Sequence, residues 1–138
     1  MTEAPSRARV HSMAVRVYYE DTDFSGVVYH ANYLRYFERG RTELLRALGV
    51  DQAALFAAEP PLGFAVARIA VDFRRPARMD DLLEVETEVA EVGGASLAMR
   101  QRLFRSGELL VEASVRVAAV SRGRAARLPR ALADLFRR

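Results

Sequence analysis

The spacing of hydrophobic positions changes twice along this chain. Met13, Val15, Val17 and Tyr19 alternate with Ala14, Arg16 and Tyr18, which predicts a first strand over residues 13–20. From His30 to Leu48 the repeat lengthens. Tyr33, Phe37, Gly40, Leu44 and Leu48 recur at helical spacing, while Arg35, Arg39, Glu43 and Arg46 fall mainly elsewhere on the wheel. Asn32 is the expected N-cap of this helix and Gly49 its stop. A mid-helix glycine costs about 1 kcal/mol relative to alanine, so Gly40 predicts a close approach of the helix to a sheet. Residues 51–62 read as a short helical or irregular segment that ends at Pro60-Pro61.

Alternation then predicts four further strands. Ala65, Ala67, Ile69, Val71 and Phe73 form one face of the second, and Leu83, Val85, Thr87 and Val89 one face of the third. Leu97, Met99 and Leu103 mark the fourth, and Leu109, Val111, Ala113, Val115, Val117 and Ala119 the fifth. Gly93-Gly94 and Ser106-Gly107 signal hairpins. Charge suggests their register. Glu88 opposite Arg100 and Glu86 opposite Arg102 require a three-residue loop at 93–95; a loop at 106–108 sets Arg102 opposite Glu112. Each exposed pair contributes only about 0.2–1 kcal/mol, but together they define one polar face. The expected architecture is α+β: an antiparallel sheet, wet on one side and dry on the other, covered by one long helix. A tail helix over Pro129–Phe136 closes the end.

The chain has 138 residues, enough for one domain. Residues 1–12 read as a flexible N-terminus and 13–138 as a single domain. Half of the residues are hydrophobic (51%) and 28% are charged, the balance of a globular protein. No apolar run approaches the roughly 18 residues of a membrane span. Met1 to Met13 is polar and basic without an apolar stretch, so no secretory signal is expected. Cysteine is absent, which excludes disulfides, thiolate catalysis and cysteine-based zinc sites, and makes a cytosolic protein the simpler reading. All 21 basic residues are arginine, so Schiff-base chemistry and P-loop lysines are excluded too. The arginines are dispersed, which argues against nucleic acid, while the net charge of +3 favours an anionic ligand or an acidic carrier protein. Arg74, Arg75 and Arg78, or Arg122, Arg124, Arg127 and Arg130, are candidates to hold phosphates.

Candidate chemistry concentrates between Tyr18 and Tyr33. An acidic cluster (Glu20, Asp21, Asp23) ends the first strand, a turn with Gly26 follows, and His30 opens the helix. A carboxylate near a helix N-terminus faces free backbone N–H groups that polarise a carbonyl. Asp23 is ionised at neutral pH and can attack a thioester or activate water. Its structural alternative is a turn aspartate bonding its own backbone. His30 can act through its backbone N–H or its imidazole, or can simply start the helix. The other histidine, His11, lies in the N-terminal stretch, and consecutive acidic residues at a strand end point to opposite faces, so no metal site is assigned. Asp21-Thr22-Asp23-Phe24-Ser25 is also similar to the aspartate motif of haloacid-dehalogenase-like phosphatases. The absence of lysine and of βα alternation argues against that family.

Three blocks, Arg16-Val17-Tyr18-Tyr19-Glu20-Asp21-Thr22-Asp23, Gly26-Val27-Val28-Tyr29-His30-Ala31-Asn32-Tyr33-Leu34 and Glu38-Arg39-Gly40-Arg41-Thr42-Glu43, together resemble the hotdog-fold acyl-CoA thioesterases. The nearest likeness is to the 4-hydroxybenzoyl-CoA thioesterase-like branch encoded beside the Tol-Pal envelope system. It runs from about Val15 to the tail helix, with Pro76-Ala77-Arg78-Met79-Asp80-Asp81 as a second anchor. The resemblance implies a five-stranded antiparallel sheet wrapped around the long helix, and homodimers joined sheet edge to sheet edge, commonly paired into homotetramers. It sets Asp23 on the catalytic aspartate and His30 on the residue whose backbone N–H polarises the thioester carbonyl. Tyr29, Asn32 and Tyr33 then lie near the acyl group, at a site shared between two chains. Phe24 stands where many relatives carry a smaller residue, and Gly93-Gly94 where some carry coenzyme A contacts. The implied activity is hydrolysis of acyl-CoA thioesters, with coenzyme A as part of the substrate and no separate cofactor or metal. The implied setting is the cytoplasm or the periphery of the inner membrane. Two further readings stand beside it: a non-catalytic module on acyl carrier protein or an envelope complex, and an aromatic acyl-CoA thioesterase of quinone synthesis.

Overall fold

In the computed structural model, which describes residues 9–138, the alternating stretches become one antiparallel sheet. Its strands are β1 (His11–Arg16), β2 (Gly63–Phe73), β3 (Leu82–Val92), β4 (Ser96–Arg105), β5 (Glu108–Ser121) and the two-residue β6 (Arg124–Ala125). The main path runs β1-β3-β4-β5-β2, with β6 added to the end of β5. The sheet curls around α1 (His30–Ala47), while α2 (Gln52–Ala57) and α3 (Arg130–Arg137) are short. This is the expected α+β hotdog arrangement, five principal strands around one long helix. Most of the N-terminal stretch, residues 1–8, lies outside the described residues. His11 and Ser12, also assigned to that stretch, belong to β1 instead and pair with Thr87 and Glu86.

The first strand stops at Arg16, four residues short of its expected end. Tyr19–Asp21 turn as a 3-10 segment because the Asp21 and Thr22 amides bond back to the carbonyls of Tyr18 and Tyr19, at 3.0 and 3.1 Å. The N-cap of α1 is Tyr29, not Asn32, which is the third helical residue. Asn32 cannot cap because its side chain is spent elsewhere: its Nδ2 donates to Asp21 Oδ1 at 2.8 Å.

Both hairpins hold the charge register expected, with Glu88 opposite Arg100, Glu86 opposite Arg102, and Arg102 opposite Glu112. Neither does so through the expected three-residue loop. In the first, the Gly93 N–H donates to the Ser96 carbonyl at 2.7 Å, so Gly94 and Ala95 form the tip, and a bulge near Ala90 takes up the remaining residue. The second follows a similar route. Ser106 and Gly107 both adopt positive φ (47° and 81°), the signature of a two-residue I′ turn, and a bulge near Leu110 absorbs the extra residue. A bulge also corrects the reading of β2. The register shifts between Val66 and Arg68, so the inward parity changes there. Phe64 and Val66, not Ala65 and Ala67, share the helix-facing side with Ile69, Val71 and Phe73.

The dry face packs on α1, which buries Tyr33, Tyr36, Phe37, Leu44 and Leu45 against Val85, Leu97, Met99, Leu103 and Val115. Two polar residues interrupt this face. Gln101, fully buried, donates through Nε2 to the Phe37 carbonyl (2.8 Å) and Thr87 Oγ1 (2.9 Å), and accepts from Arg41 Nη1 (2.9 Å). A buried amide so fully engaged carries little desolvation penalty and fixes the helix's place on the sheet. On the opposite face, Glu86 and Glu88 are buried rather than wet. The long arginines of β4 lie across this acid row, with Arg100 reaching Glu88 at 3.0 Å.

Gly40 sits over this polar junction. A Cβ there would stand 2.7 Å from Thr87 Oγ1 and 2.9 Å from Val85 Cγ1, far inside contact distance. Gly40→Ala gains about 1 kcal/mol of helix propensity, but the overpacking costs about 1–3 kcal/mol. Chemical denaturation is expected to show a net loss of stability; a more stable variant would contradict the close approach.

Candidate active site

The acidic loop and the start of α1 are joined by backbone. The Tyr29 N–H donates to the Asp21 carbonyl at 2.9 Å, and Thr22 bridges Val28. Between them the chain forms a tight loop. The Asp23 N–H donates to the Val27 carbonyl, the Gly26 N–H donates to the Asp23 carbonyl, and the Ser25 N–H donates to Asp23 Oδ1 at 2.8 Å. Gly26 supplies the positive φ (78°) that this loop requires. The turn-aspartate pattern is therefore present, and it occupies one carboxylate oxygen; Asp23 itself is exposed on the single chain.

The segment after β2 clamps this loop from the other side. The Val28 N–H donates to the Ala77 carbonyl (2.8 Å), and Val27 bridges Arg78. The Val17 and Asp80 amides bond to the carbonyls of Asp81 and Val17, both at 2.9 Å. Asp81 Oδ2 accepts from the Arg78 N–H (2.8 Å) and from Arg105 Nη1 (2.9 Å), strapping the clamp to β4. Burial raises the Asp81 carboxyl, but the Arg78 amide and the Arg105 guanidinium outweigh it and hold the pKa below the usual aspartate range.

A cleft of about 280 Å³ opens beside the helix start, lined by Val28, His30, Tyr33, Phe73, Arg74, Arg75 and Pro76. The His30 and Ala31 amides have no acceptor among the described residues, as is general for first-turn amides. The His30 imidazole is exposed and lies against the Tyr29 ring at 4.4 Å between centroids. Tyr33 is buried, its ring in an edge contact with Phe73 at 5.6 Å and its hydroxyl accepting the Ala77 N–H at 2.9 Å. Burial raises the Tyr33 pKa, and the nearby charges of Asp81 and Asp23 add to the rise.

His30 and Tyr33 thus line one cleft with Arg74 and Arg75, while Asp23 and Tyr29 are exposed and are not among its lining residues. Asn32 is buried, with its amide turned to Asp21. Arg74 pairs with Glu112, and Arg75 with Glu108 at 3.4 Å. Arg127 and Arg130 line a separate hollow with Gly93 and Gly94. Among the described residues no three His, Asp or Glu side chains gather as metal ligands, and no helix is long and apolar enough to cross a membrane. The Asp81–Arg105 strap was not singled out from sequence; Pro76–Asp81 stood out only as a motif block, and the partner on β4 is 24 residues away.

A curled sheet on a central helix, with a cleft at the bare amide end of that helix, describes a hotdog-fold thioester hydrolase. The chain belongs to the Thioesterase superfamily, whose family model matches residues 25–112, and it is an acyl-CoA thioesterase. It is 53% identical over 113 residues, 82% of each chain, to the protein named acyl-CoA thioesterase YbgC in Haemophilus influenzae. A probable thioesterase from Bartonella henselae has a crystal structure that superposes with a TM-score of 0.84 at 42% identity, covering 87% of this chain and 99% of that one. A 4-hydroxybenzoyl-CoA thioesterase, 21% identical, shares the fold with a TM-score of 0.86 over 93% of this chain and 99% of that one.

Asp81 and Glu112 both sit below the usual carboxylate range, Glu112 chiefly through its bond to Arg74, and both contribute to the acid response. Each group contributes stability that is complete above its ordinary value, near 3.8 and 4.5, and is lost as pH falls through its lower folded value. Melting temperature should fall in acid over that window, and Asp81→Asn should flatten the slope. An unchanged slope in the variant would count against the strap.

Proposed function

We propose that Asp23 and the amide end of α1 hydrolyse an acyl-CoA thioester between them. The observation that supports this reading is the backbone bonding between the Asp23 loop and the helix start. The Asp23 loop is bonded to the residue preceding the helix, and the helix opens onto a cleft walled by Tyr33 and Phe73. The thioester carbonyl oxygen meets the His30 amide, where a single such donor is typically worth about 2.7–4 kcal/mol in the transition state. Tyr29 and Tyr33 flank the acyl group, and Arg74, Arg75 and Arg78 lie toward the coenzyme A phosphates.

Two routes balance. In one, an Asp23 oxygen attacks the carbonyl carbon, the tetrahedral intermediate collapses to expel thiolate, and water cleaves the resulting anhydride to two carboxylates. In the other, Asp23 takes a proton from an attacking water and the thiolate leaves to be protonated. A single turnover in heavy-oxygen water separates them: label entering the Asp23 carboxylate supports the nucleophile. Under either route Asp23→Asn is expected to lower kcat by about 10²–10⁴-fold. KM and melting temperature should change little. Hydrolysis that survives the substitution, or purified protein inactive on short-chain, long-chain and aromatic thioesters alike, would refute the reading.

The site is completed by a second copy of the chain. Among the described residues β2 is an edge strand of 11 residues paired on one side only, to β5. Val66 and Phe73 on it are exposed, as are Phe24, Tyr29 and Leu34 elsewhere on the chain. An edge of this length carrying exposed apolar residues is a template for strand pairing. Sedimentation equilibrium should give twice or four times the chain mass, and specific activity should fall on dilution below the dimer dissociation constant. A fully active monomer would contradict this.

A further inference from the structure

A second carboxylate bonds to the chain on either side of the Asp23 loop. Asp21 Oδ2 accepts the Tyr18 N–H at 2.8 Å, and Oδ1 accepts Asn32 Nδ2 at 2.8 Å. Its main-chain carbonyl accepts the Tyr29 N–H at 2.9 Å. With both side-chain oxygens engaged, Asp21 is poorly placed to attack or to take a proton. Its bonds instead run to the two backbone segments that must be aligned, the turn leading into Asp23 and the first turn of α1. Asp23, by contrast, bonds within its own loop among the described residues, to Ser25, Gly26 and Val27. Asp21 ties that loop to the helix. Behind it, the Tyr36 hydroxyl is buried without a well-formed hydrogen bond among the described residues. Burial, and then the Asp21 carboxylate beside it, push its pKa up, so this hydroxyl stays neutral.

From these contacts we infer that Asp21 is the positioning residue of the reaction, holding Asp23 in register with the His30 amide, and that Asn32 acts through Asp21 rather than on the acyl group. The inference rests on the reading of Asp23 given above. It explains why an asparagine sits buried in the first turn of a helix whose cap it does not form: its amide is the helix's handle on the loop.

The test is a double-mutant cycle with kcat and KM measured separately, alongside Asp23→Asn and Asp51→Ala. A misplacement of about 1 Å costs on the order of 10²-fold, so Asp21→Ala should lower kcat by about that factor, with KM changing less than about threefold. Asp21→Asn keeps one acceptor and, if Asn32 turns its amide, keeps the link to the helix, so kcat should return to within about tenfold of the parent. Asn32→Ala should lower kcat, and Asp21→Ala/Asn32→Ala should be no worse than Asp21→Ala, because both break one link. Asp51→Ala removes the α2 cap, in which Oδ1 accepts the Ala54 N–H at 3.0 Å. It is expected to lower melting temperature while sparing kcat, which separates lost stability from lost positioning. Should Asp21→Ala fail to fold, Asn32→Ala and Asp21→Asn carry the test. The inference is overturned if Asn32→Ala keeps kcat within about twofold of the parent, or if the two substitutions multiply as independent sites do. If Asp23→Asn is also fully active, the proposed chemistry falls with it; if Asp23→Asn is inactive, only the role of Asp21 is lost.

Discussion

A helix cannot satisfy the amides of its own first turn, and this fold leaves those of α1 at the mouth of a cleft. A bare amide end pulls electron density from a carbonyl without metal, thiol or lysine. That suits a chain that has neither cysteine nor lysine to offer. The amides are useful only if they hold still while charge develops. Much of the rest of the structure can be understood as the means of holding them.

Two kinds of contact do so. Along its length α1 is pressed onto the sheet at Gly40, where no side chain fits, and is keyed to β4 by Gln101 through the Phe37 carbonyl and Arg41. At its start it is gripped by neighbouring loops: the Tyr29 amide and the Asn32 side chain bond Asp21, and the Tyr33 hydroxyl bonds Ala77. The Asp81–Arg105 pair then ties the second of these loops to the sheet. On the proposed reading the sheet serves the chemistry, since each strap on the helix start ends on a loop anchored to a strand.

Much of this was legible in the sequence because it follows from repeating patterns. The change from twofold to helical spacing near His30 marked the helix, and Gly40 within that repeat marked the face that meets the sheet. Opposed charges gave the strand register correctly. What failed were features that a period cannot carry. A bulge in β2 exchanges Phe64 and Val66 for Ala65 and Ala67 on the inner face, and one inserted residue leaves no mark in composition. Asn32 has the chemistry of a cap, but a partner eleven residues earlier claims its side chain. Glu86 and Glu88 alternate as exposed residues should, yet arginines from the next strand cover the row. The resemblance named the family and the fold, both borne out. The geometry that ties Asp21 to Asn32 and Asp81 to Arg105 is tertiary, and no spacing announces it.

The most direct measurement of the central claim is a crystal structure with a coenzyme A thioether or amide analogue that keeps the acyl carbonyl but resists hydrolysis. The account predicts the carbonyl oxygen at about 2.7–3.1 Å from the His30 backbone nitrogen, with an Asp23 oxygen, or a water held by it, facing the carbonyl carbon. A carbonyl bound away from the start of α1, with the His30 amide left to solvent, would contradict it.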